Sequence, residues 1–411
     1  MTLNTHILVG AVSGVAAGFA LAALGPETVW ASPAIMALGV IGNIFVDMLK
    51  MILIPLVFTS ITVGIANLRA HAQMDRVWKL SLLYFVSTTA LAVLMGLAVV
   101  NIFKPGVGME IGMLQDIAAK DVSLQSLSVG AFVQKCLSNV FVNPMQAMAE
   151  GQVLPTIIFA LLMGIGLIIA GERARMTLQL INEFFELIMM IVGWIMRLLP
   201  LGIFALLTKL VATQDPALFV SLGKYVAIVM CATLFHGFVS LPLMLGGFGK
   251  MHPSQFYLGV KDALVTAFST SSSSATLPVT YRCVKDNLRV DKDVAGFVLP
   301  LGATINMDGT AMYEAIAAVF VANLAGVELN IAQQLIVFMM AMLASIGAPG
   351  IPSAGLVTIV MVLQSVGLPV EAIAILIPID RLLDATRTMV NVEGDMIGSV
   401  IVDRYTTLRP S

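Results

Sequence analysis

Residues 267–278, Ala267-Phe268-Ser269-Thr270-Ser271-Ser272-Ser273-Ser274-Ala275-Thr276-Leu277-Pro278, put hydroxyl side chains at every position from 269 to 276 except Ala275. No charged residue occurs between Asp262 and Arg282, so the run lies inside an apolar segment. A straight lipid-facing helix tolerates such a run and Pro278 poorly, because hydrocarbon offers no substitute for a lost backbone hydrogen bond. The window reads instead as a re-entrant hairpin, two half-helices joined by a tip of small polar residues. Hydroxyls and backbone amides at such a tip can hold an anionic ligand away from lipid. Alternatively, the serines let two helices pack closely, as small residues do in membranes.

The rest of the chain is as apolar as this setting requires. It has 411 residues, 59% of them hydrophobic and 11% charged, with a mean hydropathy of +0.97. Repeated windows long enough to cross roughly 30 Å of hydrocarbon predict an all-α polytopic membrane protein. The short alternating segments of a β-barrel are not seen. A net charge of −2, scattered along the chain, gives no reason to expect nucleic acid. Cys136, Cys231 and Cys283 lie far apart and read as small packing residues. The isolated His6, His71, His236 and His252 do not form a metal motif. The amino terminus has no basic region or small-residue cleavage pattern, so the first apolar segment is expected to remain as a membrane helix.

Apolar segments run over about 7–25, 35–67 and 78–103, and after a more polar stretch at 104–128 over about 129–170, 177–212 and 218–247. Arg69, Arg76 and Lys79 follow the second segment, and Arg404 and Arg409 the last. By the positive-inside rule both termini are cytoplasmic if the number of crossings is even.

Beyond residue 255 the design of the opening stretch recurs. The uncharged window between Leu329 and Val370 has Ser345-Ile346-Gly347-Ala348-Pro349-Gly350-Ile351-Pro352-Ser353-Ala354-Gly355 at its middle, helix breakers between two apolar arms. Each broken segment precedes a polar helix, expected at about 292–327 and about 371–403. Broken segments in corresponding positions of a repeat point to a transporter site near the bilayer midplane.

The last helix is expected to carry the chemistry. Asp380, Arg381, Asp384, Arg387 and Asp395 sit between apolar flanks, and facing lipid they would together cost on the order of 10 kcal/mol. They must therefore face protein, water or ligand. Asp384, Arg387, Thr388, Asn391 and Asp395 share one helical stripe. It offers an acceptor for an ammonium group, a guanidinium for a carboxylate, an amide, a hydroxyl and a second carboxylate, a set that suits a zwitterion with an extra acid. Pairing among these groups that only glues helices together is the structural alternative. The other polar helix holds Asn306-Met307-Asp308-Gly309-Thr310, where Gly309 weakens the helix beside an amide and a carboxylate. Unwound carbonyls with a carboxylate suit a dehydrated alkali cation.

The motifs Ser271–Pro278 ("SSSSATLP"), Leu299–Thr310 ("LPLGATINMDGT"), Ser345–Gly355 ("SIGAPGIPSAG") and Asp384–Asp395 ("DATRTMVNVEGD"), in this order, resemble the dicarboxylate/amino acid:cation symporter family, the glutamate transporter family. "KMILIPLVF" at 50–58 and "GQVLPTIIFA" at 151–160 agree with it, so the resemblance spans nearly the whole chain. It implies eight transmembrane helices and two re-entrant helical hairpins with inverted repeats, assembled as a homotrimer in the cell (inner) membrane. Residues 1–76 (helices 1–2) and 106–214 (helices 4–5) would form a trimer scaffold. Residues 77–105 (helix 3) and 215–411 (helix 6, hairpin 1, helix 7, hairpin 2, helix 8) would form a transport domain moving as an elevator.

The same resemblance implies that Arg387 binds a substrate side-chain carboxylate and Asp384 its amino group, with Thr388, Asn391, Thr310, Gly355 and Ser272, Ser273 and Ser274 completing the site. For sodium it implies Gly302, Asn306, Asn391 and Asp395 at one ion. Backbone around Thr304 with Ser345, Ile346 and Ala348 would hold a second. Asn306 and Asp308 with Thr88 and Thr89 would hold a third. Archaeal members have threonine where this chain has Ala348. They also carry an arginine at the first hairpin tip, and mammalian members carry one in helix 8; Ser271 and Ala385 occupy those positions here. Arg381, one turn before Ala385, can present its guanidinium to the same region. Glu314 stands where sodium-only archaeal members have glutamine and proton- and potassium-coupled mammalian ones have glutamate, which makes it a candidate proton carrier; a static partner for an arginine such as Arg381 is the alternative.

The expected function is therefore sodium-coupled uptake of L-glutamate or L-aspartate, with proton coupling, potassium counter-transport and a chloride conductance left open. A C4-dicarboxylate symporter would not need Asp384 as an ammonium acceptor, and a neutral amino-acid exchanger would not need Arg387. A membrane enzyme is disfavoured, since no nucleophile with a base, metal cluster or nucleotide loop is seen. No cofactor beyond the coupling ions is expected.

Overall fold

The computed structural model describes residues 3–25, 28, 30–67, 75–108, 142–213, 216–347, 350 and 352–406. Among these, every regular element is a helix. The first three are α1 (Leu3–Leu24), α2 (Ala31–Asn67) and α3 (Asp75–Phe103); α4 (Pro144–Ala149), α5 (Val153–Ala170) and α6 (Arg175–Thr213) follow. Next, α7 (Pro216–Phe235) continues through π-helical turns at His236–Ser240 and Leu245–Gly249, with Leu241–Met244 between them. Among the described residues, five stretches are long and apolar enough to cross a membrane: Thr5–Leu24, Ala31–Ala66, Arg76–Phe103, Pro155–Thr213 and Ala217–Gly249. The chain is a multi-pass membrane protein.

Small residues let the first helices approach. Gly10, Gly14 and Gly18 form one stripe of α1 that lies on α6, and a Cβ at Gly14 would stand 2.9 Å from the Phe204 carbonyl oxygen. Such stripes are the usual device for close backbone contact where lipid removes the hydrophobic drive. Lys50 of α2 reaches Glu371 at 2.9 Å, tying this helix to the start of the last one.

The carboxy-terminal half contains the broken segments. Helices α8 (Pro253–Thr270) and α9 (Ser273–Arg282) pack on one another, as do α12 (Ile331–Gly347) and α13 (Ala354–Ser365). The first break lies at Ser271-Ser272. Ser271 takes a left-handed conformation, φ +51°, and Ser272 caps α9 by accepting the Ala275 N–H at 3.1 Å. Pro278 sits inside α9 rather than at the break. The second break ends on Ser353, also left-handed at φ +58°.

The polar helix expected at 292–327 is two helices, α10 (Lys292–Ile305) and α11 (Asp308–Leu324). Asn306 between them is extended, at φ −104° and ψ 91°, and Met307 is also non-helical, at φ −126° and ψ 59°. The chain opens one turn earlier than Gly309 indicates, because Asn306 and Asp308 have partners in α3 and in the last helix. The apolar segment expected at 129–170 is likewise interrupted where described: α4 and α5 are separated at Glu150–Gln152, with Gly151 at φ +70°. The last helix, α14 (Ile373–Thr406), is long and nearly all buried from Leu383 to Asp403, and α11 is buried around its whole circumference. Two apolar clusters enclose this polar pair. One joins α2, α3, α6, α7, α11, α12, α13 and the start of α14; the other joins α8, α9, α10 and the later half of α14. Ala348 of the second cation set, Arg69 and Arg409 of the orientation argument, His71 and Cys136 lie outside the described residues.

Candidate functional site

The site is built on α14, where the 3.6-residue period sets the buried polar groups on the face turned to α11 and the hairpin tips. Arg387 is fully buried. Its Nη2 donates to Asp380 Oδ1 at 2.8 Å and to Asp384 Oδ1 at 2.9 Å. The ring of Tyr313 lies under the guanidinium, 3.8 Å from Cζ to the ring centroid. Gly355, in the first turn of α13, brings backbone against it: a Cβ there would stand 3.3 Å from Nη2. Nε and Nη1 have no hydrogen-bond partner among the described residues. A planar fork with two donors uncommitted suits a second carboxylate. Asp384 is held from three sides, since its Oδ2 also accepts the Ser353 N–H at 2.8 Å and faces Arg381 Nη1 at 3.5 Å.

Further along α14 the same face meets the break between α10 and α11. The Asn306 side-chain amide donates to Asp395 Oδ1 at 2.9 Å. Thr88 donates to Asn306 Oδ1 at 3.4 Å and to Asp308 Oδ1 at 3.3 Å, and Thr89 to Asp308 Oδ1 at 2.7 Å. His236 Nε2 stands 3.1 Å from Asp308 Oδ2. Asn391 accepts the Gly309 N–H at 2.8 Å and donates to Thr310 Oγ1 at 3.2 Å. Gly302 is required where it stands, since a Cβ would come within 2.7 Å of Asp395 Cγ. Buried carboxylate, amide and hydroxyl oxygens around two non-helical residues form a hard, oxygen-rich donor set.

The two broken segments meet. Ser272 Oγ donates to the Gly350 carbonyl at 2.6 Å, and the Ser274 N–H points to the same oxygen at 3.2 Å. The serine run is therefore first a helix cap and a clasp on the second tip; Ser273 is buried beside it and Ser274 exposed. The second cation set is less gathered. Thr304 is exposed and bonds its own turn at Leu301, while Ser345 is buried and bonds Met342 of its own turn. Ile346 packs in the second apolar cluster.

Glu314 is fully buried in α11. Its Oε1 accepts a hydrogen bond from the Thr358 hydroxyl of α13. Arg381 lies at Asp384, 3.5 Å from Oδ2, and Arg387 is the arginine whose charge reaches Glu314. Thr388 is buried on the same face of α14.

The structure brings together Arg387, Asp384 and Gly355 in one group, and Asn306, Asp308, Thr88, Thr89, Asp395, Asn391, Thr310 and Gly302 in an adjoining one. Three further residues touch these groups without having been assigned to the site from the sequence. Asp380 counts there among the charges that must avoid lipid but not in the stripe; it lies two turns before Arg387, so extending the α14 stripe would have added it. Tyr313 gives only a weak signal, its place beside Glu314. His236 gives none, since its contact with Asp308 spans 72 residues of chain.

Residues 3–405 match the Sodium:dicarboxylate symporter family. The chain is 37% identical over 409 residues to "Excitatory amino acid transporter 3" of Mus musculus, an alignment covering 88% of this chain and 78% of that protein. To "Excitatory amino acid transporter" of Caenorhabditis elegans it is 36% identical over 412 residues, covering 90% and 82%. To "Excitatory amino acid transporter 2" of Rattus norvegicus it is 36% identical over 419 residues, covering 90% and 73%.

Proposed function

Because the chain belongs to the sodium:dicarboxylate symporter family, we propose that it is a secondary active transporter taking up acidic amino acids, L-glutamate or L-aspartate, driven by sodium. Its relatives are transporters by name, and it is read as a transporter and not an enzyme. The observation that carries the substrate class is Arg387, a buried guanidinium with two donors uncommitted beneath the hairpin tips. An acidic side chain entering there exchanges hydration for a charge-assisted bidentate pair. Asp384 receives the ammonium group, and Thr388, Asn391, Thr310, Gly355, Ser272, Ser273 and Ser274 enclose the rest.

Sodium enters at the neighbouring oxygen groups: Gly302, Asn306, Asn391 and Asp395 at one ion; Thr304, Ser345, Ile346 and Ala348 at a second; Asn306, Asp308, Thr88 and Thr89 at a third. Binding of cation and anion in adjoining buried groups is mutually favourable, because each offsets the charge the other brings out of water. That is the physical basis of coupling. Glu314 carries a proton with the substrate, its carboxyl held by Thr358.

In the proposed topology eight helices span the cell membrane, both termini are cytoplasmic, and the segments α8–α9 and α12–α13 are re-entrant. Residues 1–76 and 106–214 form the scaffold of a homotrimer. Residues 77–105 and 215–411 move across the membrane as an elevator.

A C4-dicarboxylate is the second reading. It is favoured by the hydrogen bonds that both Asp384 oxygens already accept, from Arg387 and from the Ser353 N–H. Uptake of radiolabelled L-aspartate, L-glutamate and succinate into proteoliposomes, with sodium, proton and potassium gradients imposed one at a time, tests both. Concentrative, sodium-dependent aspartate or glutamate uptake is expected; succinate uptake that excludes the amino acids would replace the first reading with the second. Equal uptake in sodium-free choline buffer would overturn the coupling.

A further inference from the structure

The π-helical turn His236–Ser240 interrupts α7 where that helix passes α11. Turns of this kind gather at functional positions, because the extra residue re-aims a side chain that regular helix would point elsewhere. Here the re-aimed side chain is His236, fully buried, with Nε2 3.1 Å from Asp308 Oδ2. The other carboxylate oxygen of Asp308 takes Thr89 at 2.7 Å and Thr88 at 3.3 Å. The carboxylate is thus held at both ends, by α3 on one oxygen and by α7 on the other. Nδ1 of His236 has no partner among the described residues. With the proton on Nδ1 instead, that buried N–H would find no acceptor and the Nε2 lone pair would face a carboxylate oxygen at 3.1 Å. The favoured tautomer therefore carries its proton on Nε2 and donates it to Asp308.

We propose that His236 is a positioning residue for cation binding: its Nε2–H bond fixes the plane of the Asp308 carboxylate so that the Oδ1 edge faces Thr88, Thr89 and Asn306. The inference deepens the sodium reading and rests on Asp308 as a sodium ligand. Partners that hold a ligating group by its far side set its orientation and commonly tune affinity 10- to 100-fold. The next residue, Gly237, uses its carbonyl to accept from Tyr257 of α8 at 3.1 Å, which anchors the π-turn to the first hairpin.

The test uses full-length protein purified in detergent, with the sodium concentration giving half-maximal thermal stabilisation as readout, so variants that do not transport remain measurable. His236→Phe is expected to raise that concentration about tenfold or more. His236→Gln, whose amide reaches the ε position, should restore most of the loss, and His236→Asn, which stops at the δ position, should not. In an Asp308→Asn background, His236→Phe should add nothing, because the group it positions has lost its charge. The aspartate concentration for half-maximal stabilisation at saturating sodium should not change. If His236→Phe does not accumulate, the Gln and Asn pair decides. An equal shift in the Asp308→Asn background, or identical behaviour of Gln and Asn, would overturn the inference. A wild type blind to sodium, or an Asp308→Asn variant with unchanged sodium response, would instead overturn the sodium reading itself.

Discussion

Asp380 and Arg387, two helical turns apart on α14, meet at 2.8 Å through Oδ1 and Nη2 with both side chains buried. Two such charges are far costlier to separate than to bury together. Asp380→Ala should therefore destabilise the protein by about 2 kcal/mol, because the buried guanidinium loses one of its two carboxylate acceptors and keeps Asp384 at 2.9 Å. Asp380→Asn, which keeps an acceptor, should cost less. Thermal unfolding of both purified variants checks the order; equal stability of Asp380→Ala and wild type would remove the pair from the structural framework.

Arg387→Cys should abolish uptake of acidic amino acids and admit a neutral substrate such as serine, since the bidentate partner is gone and the carboxylates of Asp380 and Asp384 line the space it leaves and repel a second acid. Competition by unlabelled serine and aspartate in the same vesicles checks it. Near-normal aspartate affinity would place the substrate carboxylate elsewhere.

Gly302→Ala introduces a Cβ 2.7 Å from Asp395 Cγ. Overpacking of about 1–3 kcal/mol should move Asp395 and raise the sodium concentration for half-maximal uptake about tenfold. Asp395→Asn should weaken sodium dependence in the same direction. An unchanged sodium curve in both variants would exclude Asp395 from the ion site.

Glu314→Gln should preserve exchange of internal and external substrate while net uptake falls and loses its response to an imposed pH gradient, because a permanently neutral side chain mimics the protonated carrier only. Thr358→Val, which removes the hydroxyl that Glu314 accepts from, should alter the pH response with Glu314 still present. Parallel loss of exchange and net uptake in Glu314→Gln would make the residue structural.

Ser272→Ala removes both the cap of α9 and the donor to the Gly350 carbonyl at 2.6 Å. The cap alone is worth about 1 kcal/mol. A cysteine pair at positions 274 and 350, oxidised to hold the tips together, should block uptake reversibly, with reductant restoring it. Uptake that persists in the oxidised pair would show that the tips need not part.

Much of this protein is legible before folding because its signals are local. The serine run and the Ser345–Gly355 stretch mark broken segments by themselves, since helix breakers inside apolar windows have few other solutions in lipid. The α14 stripe is legible because helical period alone puts Asp384, Arg387, Asn391 and Asp395 on one face. Those features determine the class of protein and the chemistry of its polar helices.

Only tertiary structure decides which of those groups touch. That Arg387 turns to Asp380, that Glu314 meets Thr358 rather than Arg381, and that the chain opens at Asn306-Met307 all depend on helices distant in sequence. His236 is the clearest case: nothing near it in the chain distinguishes it, and Asp308 becomes its neighbour only when α7 and α11 pack. Local propensity acts over a few residues, whereas a buried polar group must find its partner wherever packing brings one within about 3 Å. That search is settled by the assembled helices.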